Sequence, residues 1–85
     1  MILKVKSNTD IMDLAYAISN AINTDSVELH CIGAGAVNQG VKAIIKAKSL
    51  VAQTGKELTI NPGFGNVVID NTERSMIILR VRVSY

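Results

Sequence analysis

The hydrophobic periodicity of the sequence changes at Gly33-Ala34-Gly35-Ala36, and this change limits the folds open to the chain. Before it, apolar side chains alternate over residues 26–32, as in a β-strand. After it, apolar residues recur at helical spacing over about residues 35–53. The predicted buried stripe of this second helix is Val37, Val41, Ile44, Ile45 and Val51. Gly55 follows at the position of a left-handed helix cap.

The N-terminal third of the chain predicts one more strand and one more helix. Residues 2–6 alternate between apolar and basic side chains, as in a short strand. A cluster of capping residues at 7–10 starts a helix, which ends at residues 23–25. Its predicted buried stripe is Ile11, Leu14, Ala15, Ile18 and Ile22.

The C-terminal third predicts a hairpin. Residues 57–69 form an irregular strand. We expect it to carry a bulge or kink at residues 61–65, on an edge of the sheet, because Pro62 lacks a ladder donor. A turn at residues 70–73 then joins it to a last strand at residues 75–84.

The predicted order is strand, helix, strand, helix, strand, strand. The first helix is then a right-handed crossover between two parallel strands. Two helices cover one face of the sheet, and the other face looks polar. The predicted fold class is α+β, a two-layer α/β sandwich with a four-stranded mixed sheet and both helices on one face. At 85 residues, we expect a single domain over residues 1–85.

Composition excludes several classes of protein. Apolar residues make up 48% of the chain, which excludes a disordered protein, and no apolar run is long enough to span a membrane. The N-terminus does not resemble a signal peptide, and the single cysteine cannot form an internal disulfide. We therefore expect a cytoplasmic protein. So small a two-layer fold cannot comfortably bury this much apolar surface, so we expect some of it to lie between subunits.

The net charge of +2 conceals a local excess, because residues 31–56 carry four lysines and no acidic residue. On the predicted second helix, one face carries Asn38, Lys42, Lys46, Ser49 and Gln53. Such a stripe suits a polyanion such as nucleic acid. It is equally consistent with an ordinary solvated helix face.

The glycines of the junction are typical of an anion site. Without β-carbons at Gly33 and Gly35, backbone amides at a helix start can approach a phosphate, with Asn38, Gln39 and Lys42 as further donors. Alternatively, glycine only permits a tight turn. The pattern is neither a Walker loop nor a complete dinucleotide fingerprint.

No catalytic constellation is visible. His30 and Cys31 are neighbours on a strand, so their side chains point to opposite faces; we expect His30 at the surface or an interface and Cys31 in the core. We therefore predict a protein that is not an enzyme and needs no cofactor and no metal.

The hairpin adds Arg74, Arg80 and Arg82, which could contact phosphates along a nucleic-acid groove. The alternative is that they serve solubility and protect the sheet edge. Phe64 is a candidate base-stacking platform or subunit contact. We expect Ile78 to be exposed beside the arginines in a single chain and to become buried where two subunits meet.

The stretch IGAGAVNQ at residues 32–39, followed by VKA at residues 41–43, resembles the stage V sporulation protein S family. The resemblance extends over nearly the whole chain and includes the NPGF stretch at residues 61–64. Gly40 departs from it, since alanine is expected there; glycine would weaken the helix slightly. Residues 8–13 are less typical of the family.

The resemblance implies an Alba-like fold and a small bacterial protein linked to spore development that binds nucleic acid as a dimer. It implies a binding surface made of the loop before the second helix, the start of that helix and the C-terminal hairpin. In this sequence those positions are Gly33, Gly35, Asn38, Gln39, Lys42 and Arg74.

The leading hypothesis is a homodimeric or tetrameric regulator that binds DNA or RNA with weak sequence specificity. Lys42 and Lys46 would neutralise phosphates, and the three arginines would extend the same track. The alternatives are a protein-interaction or scaffold module, and a sensor of a small phosphorylated ligand bound at the glycine junction. No membrane is expected to be involved.

Overall fold

The structure is a computed structural model that describes residues 1–84. All six predicted elements are present in the predicted order. They are β1 (Ile2–Val5), α1 (Ile11–Ala21), β2 (Val27–Cys31), α2 (Ala34–Ala52), β3 (Glu57–Ile69) and β4 (Thr72–Ser84). The four strands form one mixed sheet in the order β1-β2-β4-β3, in which β1 and β2 are parallel and the other neighbours antiparallel. This confirms the predicted α+β sandwich.

Both helices bury one side in a common core with the sheet. Ile18 of α1, Ile44 of α2 and Leu29 of β2 are fully buried there. The side of the sheet turned away from this core is called the open face below. Neither helix within residues 1–84 is long and apolar enough to cross a membrane.

The start of α1 and the end of α2 agree with the capping residues predicted from the sequence. Asp10 caps α1, and its carboxylate accepts a hydrogen bond of 2.9 Å from the backbone N–H of Asp13. Gly55 has a φ of +76°, which is the left-handed conformation predicted for the residue after α2.

The buried side of α2 differs in part from the predicted stripe, of which Ile44 and Val51 are buried. Val41 and Ile45 are 36% and 56% exposed, so their assignment to the core is wrong. The helix buries mostly small residues instead: Ala36, Gly40, Ala43, Ile44, Ala47 and Val51. A β-carbon at Gly40 would lie 3.2 Å from Sγ of Cys31, so the glycine lets α2 lie close to the sheet. Gly40 thus has a packing role that its low helix propensity did not indicate.

The predicted bulge or kink in β3 is wrong, whereas the predicted position of this segment on an edge of the sheet is confirmed. Pairing between β3 and β4 keeps one register from Glu57 opposite Ser84 to Ile69 opposite Thr72. Pro62 is accommodated because β3 is an edge strand, where a missing N–H costs no ladder bond. The hairpin turn is also shorter than the predicted turn at residues 70–73. It consists of Asp70 and Asn71, which both have positive φ. β4 therefore begins at Thr72, three residues earlier than predicted.

Ile78 is not exposed, contrary to the prediction. It lies on the open face but is only 8% exposed, because its side chain leans over the glycine-rich part of β3. A β-carbon at Gly65 would come within 2.6 Å of Cδ1 of Ile78. Ile78 is therefore covered within one chain and offers little surface to a second subunit.

Candidate nucleic-acid interface

The start of α2 presents unpaired backbone donors at the surface. Gly33 is the N-cap residue with a φ of +91°, a conformation that favours glycine. The first turn of α2 has neither a capping side chain nor an acidic residue, and residues 33–35 are exposed. The first N–H groups of a helix have no partner within it, and they carry its positive dipole end. This end of α2 can therefore accept an anion.

Gly35 has a different reason to be glycine. A β-carbon there would lie 2.8 Å from Cβ of Ser7, so its lack of a side chain lets the turn before α1 pack against α2. Of the two junction glycines, only Gly33 leaves open space for a ligand.

Asn38 and Gln39 follow on the first turns of α2. Nε2 of Gln39 donates a 2.9 Å hydrogen bond to the backbone oxygen of Thr9, which ties α2 to the segment before α1. Nδ2 of Asn38 donates to Oε1 of Gln39 at 3.3 Å, and Asn38 is exposed. Gln39 is thus occupied by a structural contact, and Asn38 is the more accessible of the two amides.

Lys42 and Lys46 lie one helical turn apart on the outward side of α2, as predicted, and both are exposed. The ion pairs formed within residues 1–84 leave both ammonium groups without a carboxylate partner. Asn38, Ser49 and Gln53 of the same stripe are exposed as well. The stripe is a continuous polar and basic surface that begins at the anion-accepting end of the helix.

The arginines do not extend this surface in one chain. Arg80 and Arg82 lie on the open face, because Leu79 and Val81 beside them face the core under the helices. The prediction of a single track through α2 and these two arginines is therefore wrong for an isolated chain. Arg74 is exposed, and alternation along β4 places it on the open face as well, whereas its neighbour Ser75 lies close to the start of α2.

Arg80 also has a partner. Its Nε lies 3.3 Å from Oε2 of Glu28, and Nε2 of His30 lies 3.0 Å from Oε1 of the same carboxylate. The hydrogen bond with His30, followed by the charge of Arg80, lowers the pKa of Glu28 from its usual value. Glu28 therefore stays ionised and offsets part of the positive charge of Arg80.

A cavity of about 230 Å³ separates the start of α2 from β4. Gly33 and Ala34 line it from the start of α2, Ser75 lines it from β4, and Cys31 lines it from the end of β2. Burial raises the pKa of the Cys31 thiol, so it stays protonated and unreactive. Sequence reasoning missed Ser75, because its proximity to Gly33 depends on the sheet order and has no local signal.

The helix side of β3 carries exposed apolar side chains. Phe64 is 83% exposed and Val68 is 69% exposed, and both alternate in step with the buried Leu58 on the same face. Val68 was missed, although its even spacing from Phe64 is visible in the sequence. These two residues form what is called the apolar row below.

Comparison with known families gives a match over the same residues that the structure describes. The family model described as Stage V sporulation protein S matches residues 1–84, which is nearly the whole chain.

Proposed function

The chain belongs to the stage V sporulation protein S family, and from this premise we propose that it is a non-enzymatic, homodimeric nucleic-acid-binding regulator. The family gives it a role related to sporulation. The proposal adds the chemistry of that role, which is binding of phosphate groups in DNA or RNA with weak sequence specificity.

The observation that carries this proposal is the exposed start of α2, followed by Lys42 and Lys46, which form no ion pair within residues 1–84. The helix end supplies backbone donors and a partial positive charge for one phosphate. The lysines supply full charges about two and three turns further along the helix. Phosphate contacts position a protein on nucleic acid without reading its sequence, and this surface has few side chains suited to paired contacts with bases.

A homodimer is supported by the apolar row. An exposed side chain as large as Phe64, on the same face of β3 as the exposed Val68, is costly to leave in water. A second copy that covered the row would bury it and bring two basic α2 surfaces into one particle. Two linked surfaces bind a polymer more tightly than one.

The test is a titration of duplex DNA and of single-stranded RNA at several salt concentrations. Affinity should fall steeply with salt, because bound lysines release counterions from the polymer. Lys42→Gln should reduce the slope of log affinity against log salt by about 0.9 for DNA, per chain engaged.

Lys56→Gln is the matched control. It removes the same charge beyond the far end of α2, where Nζ of Lys56 donates a 2.8 Å hydrogen bond to Oδ1 of Asn23. Its slope should equal that of the unchanged protein. Absence of binding to both polymers at low salt, or equal slopes for the two variants, would contradict the proposal.

The apolar row also favours a second candidate, a protein-interaction module. In that case the purified chain would stay monomeric and bind no polymer, while the row captured a different protein. The oligomeric state of the purified chain, measured by sedimentation velocity, distinguishes the interaction module from the homodimer.

A further inference from the structure

A second cavity, of about 240 Å³, lies on the open face of the sheet. It forms where the far part of the β3–β4 hairpin meets the ends of β1 and β2. Lys4 and His30 line it from neighbouring positions on β1 and β2, and Val67 and Met76 line it from the hairpin. It is therefore distinct from the cavity beside Gly33.

The walls of this cavity are mostly apolar. Ile32, Val67, Ile69 and Met76 contribute them, and all four are partly accessible to solvent. Alternation along β3 turns Val67 and Ile69 towards the open face, away from Phe64 and Val68. Because both helices lie on the other face, no other element within residues 1–84 covers these side chains.

The rim of the cavity is basic. Lys4 and Lys6 line it, and none of its lining residues is acidic. The nearest carboxylate along β2, that of Glu28, has one oxygen 3.0 Å from His30 and the other 3.3 Å from Arg80. Both of its oxygens are thus occupied, and neither lysine forms an ion pair within residues 1–84.

Apolar walls beside two unpaired ammonium groups suit one class of ligand. We propose that this cavity binds a small organic anion with an apolar body, whose charged head lies at Lys4 and Lys6 and whose body packs on Val67, Ile69 and Met76. Water occupies about 30 Å³ per molecule in the liquid, so the space suits a ligand of roughly eight to ten non-hydrogen atoms. Burial of the body supplies the affinity, and the lysines supply the selection for negative charge.

This site does not depend on nucleic-acid binding. It lies on the face opposite to Lys42 and Lys46, and its ligand is not a polymer. Loss of one activity by substitution should leave the other intact, so failure of either proposal can be recognised separately.

Octanoate is the first probe, followed through the backbone amide signals of the ¹⁵N-labelled protein. We expect saturable shifts at residues such as Lys4, His30, Val67 and Met76, with a dissociation constant in the millimolar range or tighter. Octyl phosphate, tested in parallel, distinguishes a carboxylate from a phosphate head. Octanol tests whether the apolar body binds without a negative charge. Acetate and inorganic phosphate test whether the charged head binds without an apolar body.

Lys4→Gln/Lys6→Gln should weaken the better of the two anionic probes at least about threefold, which corresponds to two partly exposed charge contacts. Lys48→Gln/Lys56→Gln is the matched control, because it removes two charges from outside the cavity. Thermal unfolding of both variants shows whether the fold is kept. Val67→Ser gives a second readout that leaves the charges in place and should also weaken binding.

Two results would overturn the proposal. One is no saturable shift at these residues with either anionic probe. The other is octanol binding as well as octanoate, because charge would then play no part in recognition.

Discussion

At the scale of single residues, the two junction glycines serve different physical needs. Gly33 is needed for its backbone angle, and Gly35 for the space that Ser7 occupies. The sequence predicts a glycine-rich turn here but not this division. Contact with Ser7 joins residues far apart in the chain, so no local pattern reports it.

Gly35→Ala should destabilise the protein, although alanine favours a helix by about 1 kcal/mol over glycine. The added β-carbon would lie 2.8 Å from Cβ of Ser7, and relief of such crowding typically costs about 1–3 kcal/mol. The free energy of unfolding in urea measures the change. Ser7→Gly in the same chain should restore most of the loss. An increase in stability from Gly35→Ala alone would show that the turn at Ser7 moves freely.

The ion pair of Arg80 with Glu28 could also not be predicted from the sequence. Its period-two position identifies the face on which it lies, and this was read correctly. Its charge partner follows from the pairing of β2 with β4, which sets Glu28 directly opposite Arg80. Cross-strand partners of this kind require the register, which hydrophobic alternation does not specify.

At the scale of elements, periodicity was sufficient to place all six helices and strands in order. It was wrong about two residues on the buried side of α2, although Ile44 and Val51 are buried as predicted. Val41 and Ile45 are more hydrophobic than Ala43 and Gly40, yet the small residues face the sheet. A helix can pack close to a sheet only where its side chains are small, and a pattern of hydrophobicity does not show how far apart the helix and the sheet lie.

The hairpin turn offers a test at this scale. Asn71 has a φ of +63°, which glycine adopts more easily than asparagine. Asn71→Gly should therefore stabilise the protein by up to about 1 kcal/mol, and Asn71→Val should destabilise it by about 1–2 kcal/mol. Urea unfolding measures both.

The same substitution elsewhere in the hairpin should have the opposite sign. Asn66 lies within β3 and is not among the described residues with positive φ. Asn66→Gly should cost about 0.5–1 kcal/mol, because glycine in a strand loses more conformational freedom on folding. Equal effects at the two positions would contradict the assignment of the turn.

At the scale of the whole molecule, the chain is elongated, with extents of 44 × 21 × 17 Å. Two strands of 13 residues give the hairpin this length and carry Phe64 and Val68 beyond the well-packed core. Sequence reasoning anticipated that apolar surface would remain uncovered and identified Phe64 correctly as part of it. It wrongly predicted that Ile78 is exposed. The side chain of Ile78 fills the space above Gly65, and this contact exists only because β3 and β4 are paired.

Phe64→Gln should convert a dimer into a monomer at concentrations where the unchanged chain is dimeric. We expect the dissociation constant of the dimer to rise about tenfold or more, as for a large side chain at the centre of an interface. Sedimentation velocity measures this. Stability of the monomer should change little, because Phe64 is 83% exposed within one chain.

Tyr16→Gln is the control for this experiment. Tyr16 lies on α1, outside the apolar row, and is 52% exposed, so its removal should leave the dimer unchanged. A wild-type chain that stays monomeric throughout would disprove the dimer and favour the interaction module.

The position of Pro62 bears on how copies of this chain can associate. β3 is a long strand at the margin of the sheet, and such a margin can recruit strand after strand into a fibril. Pro62 removes one backbone donor near the middle of that margin, so an incoming strand finds no continuous row of partners. Growth through the backbone has no natural limit, whereas association through side-chain faces related by a two-fold axis stops at a closed assembly. A single proline therefore favours the finite assembly over the endless one.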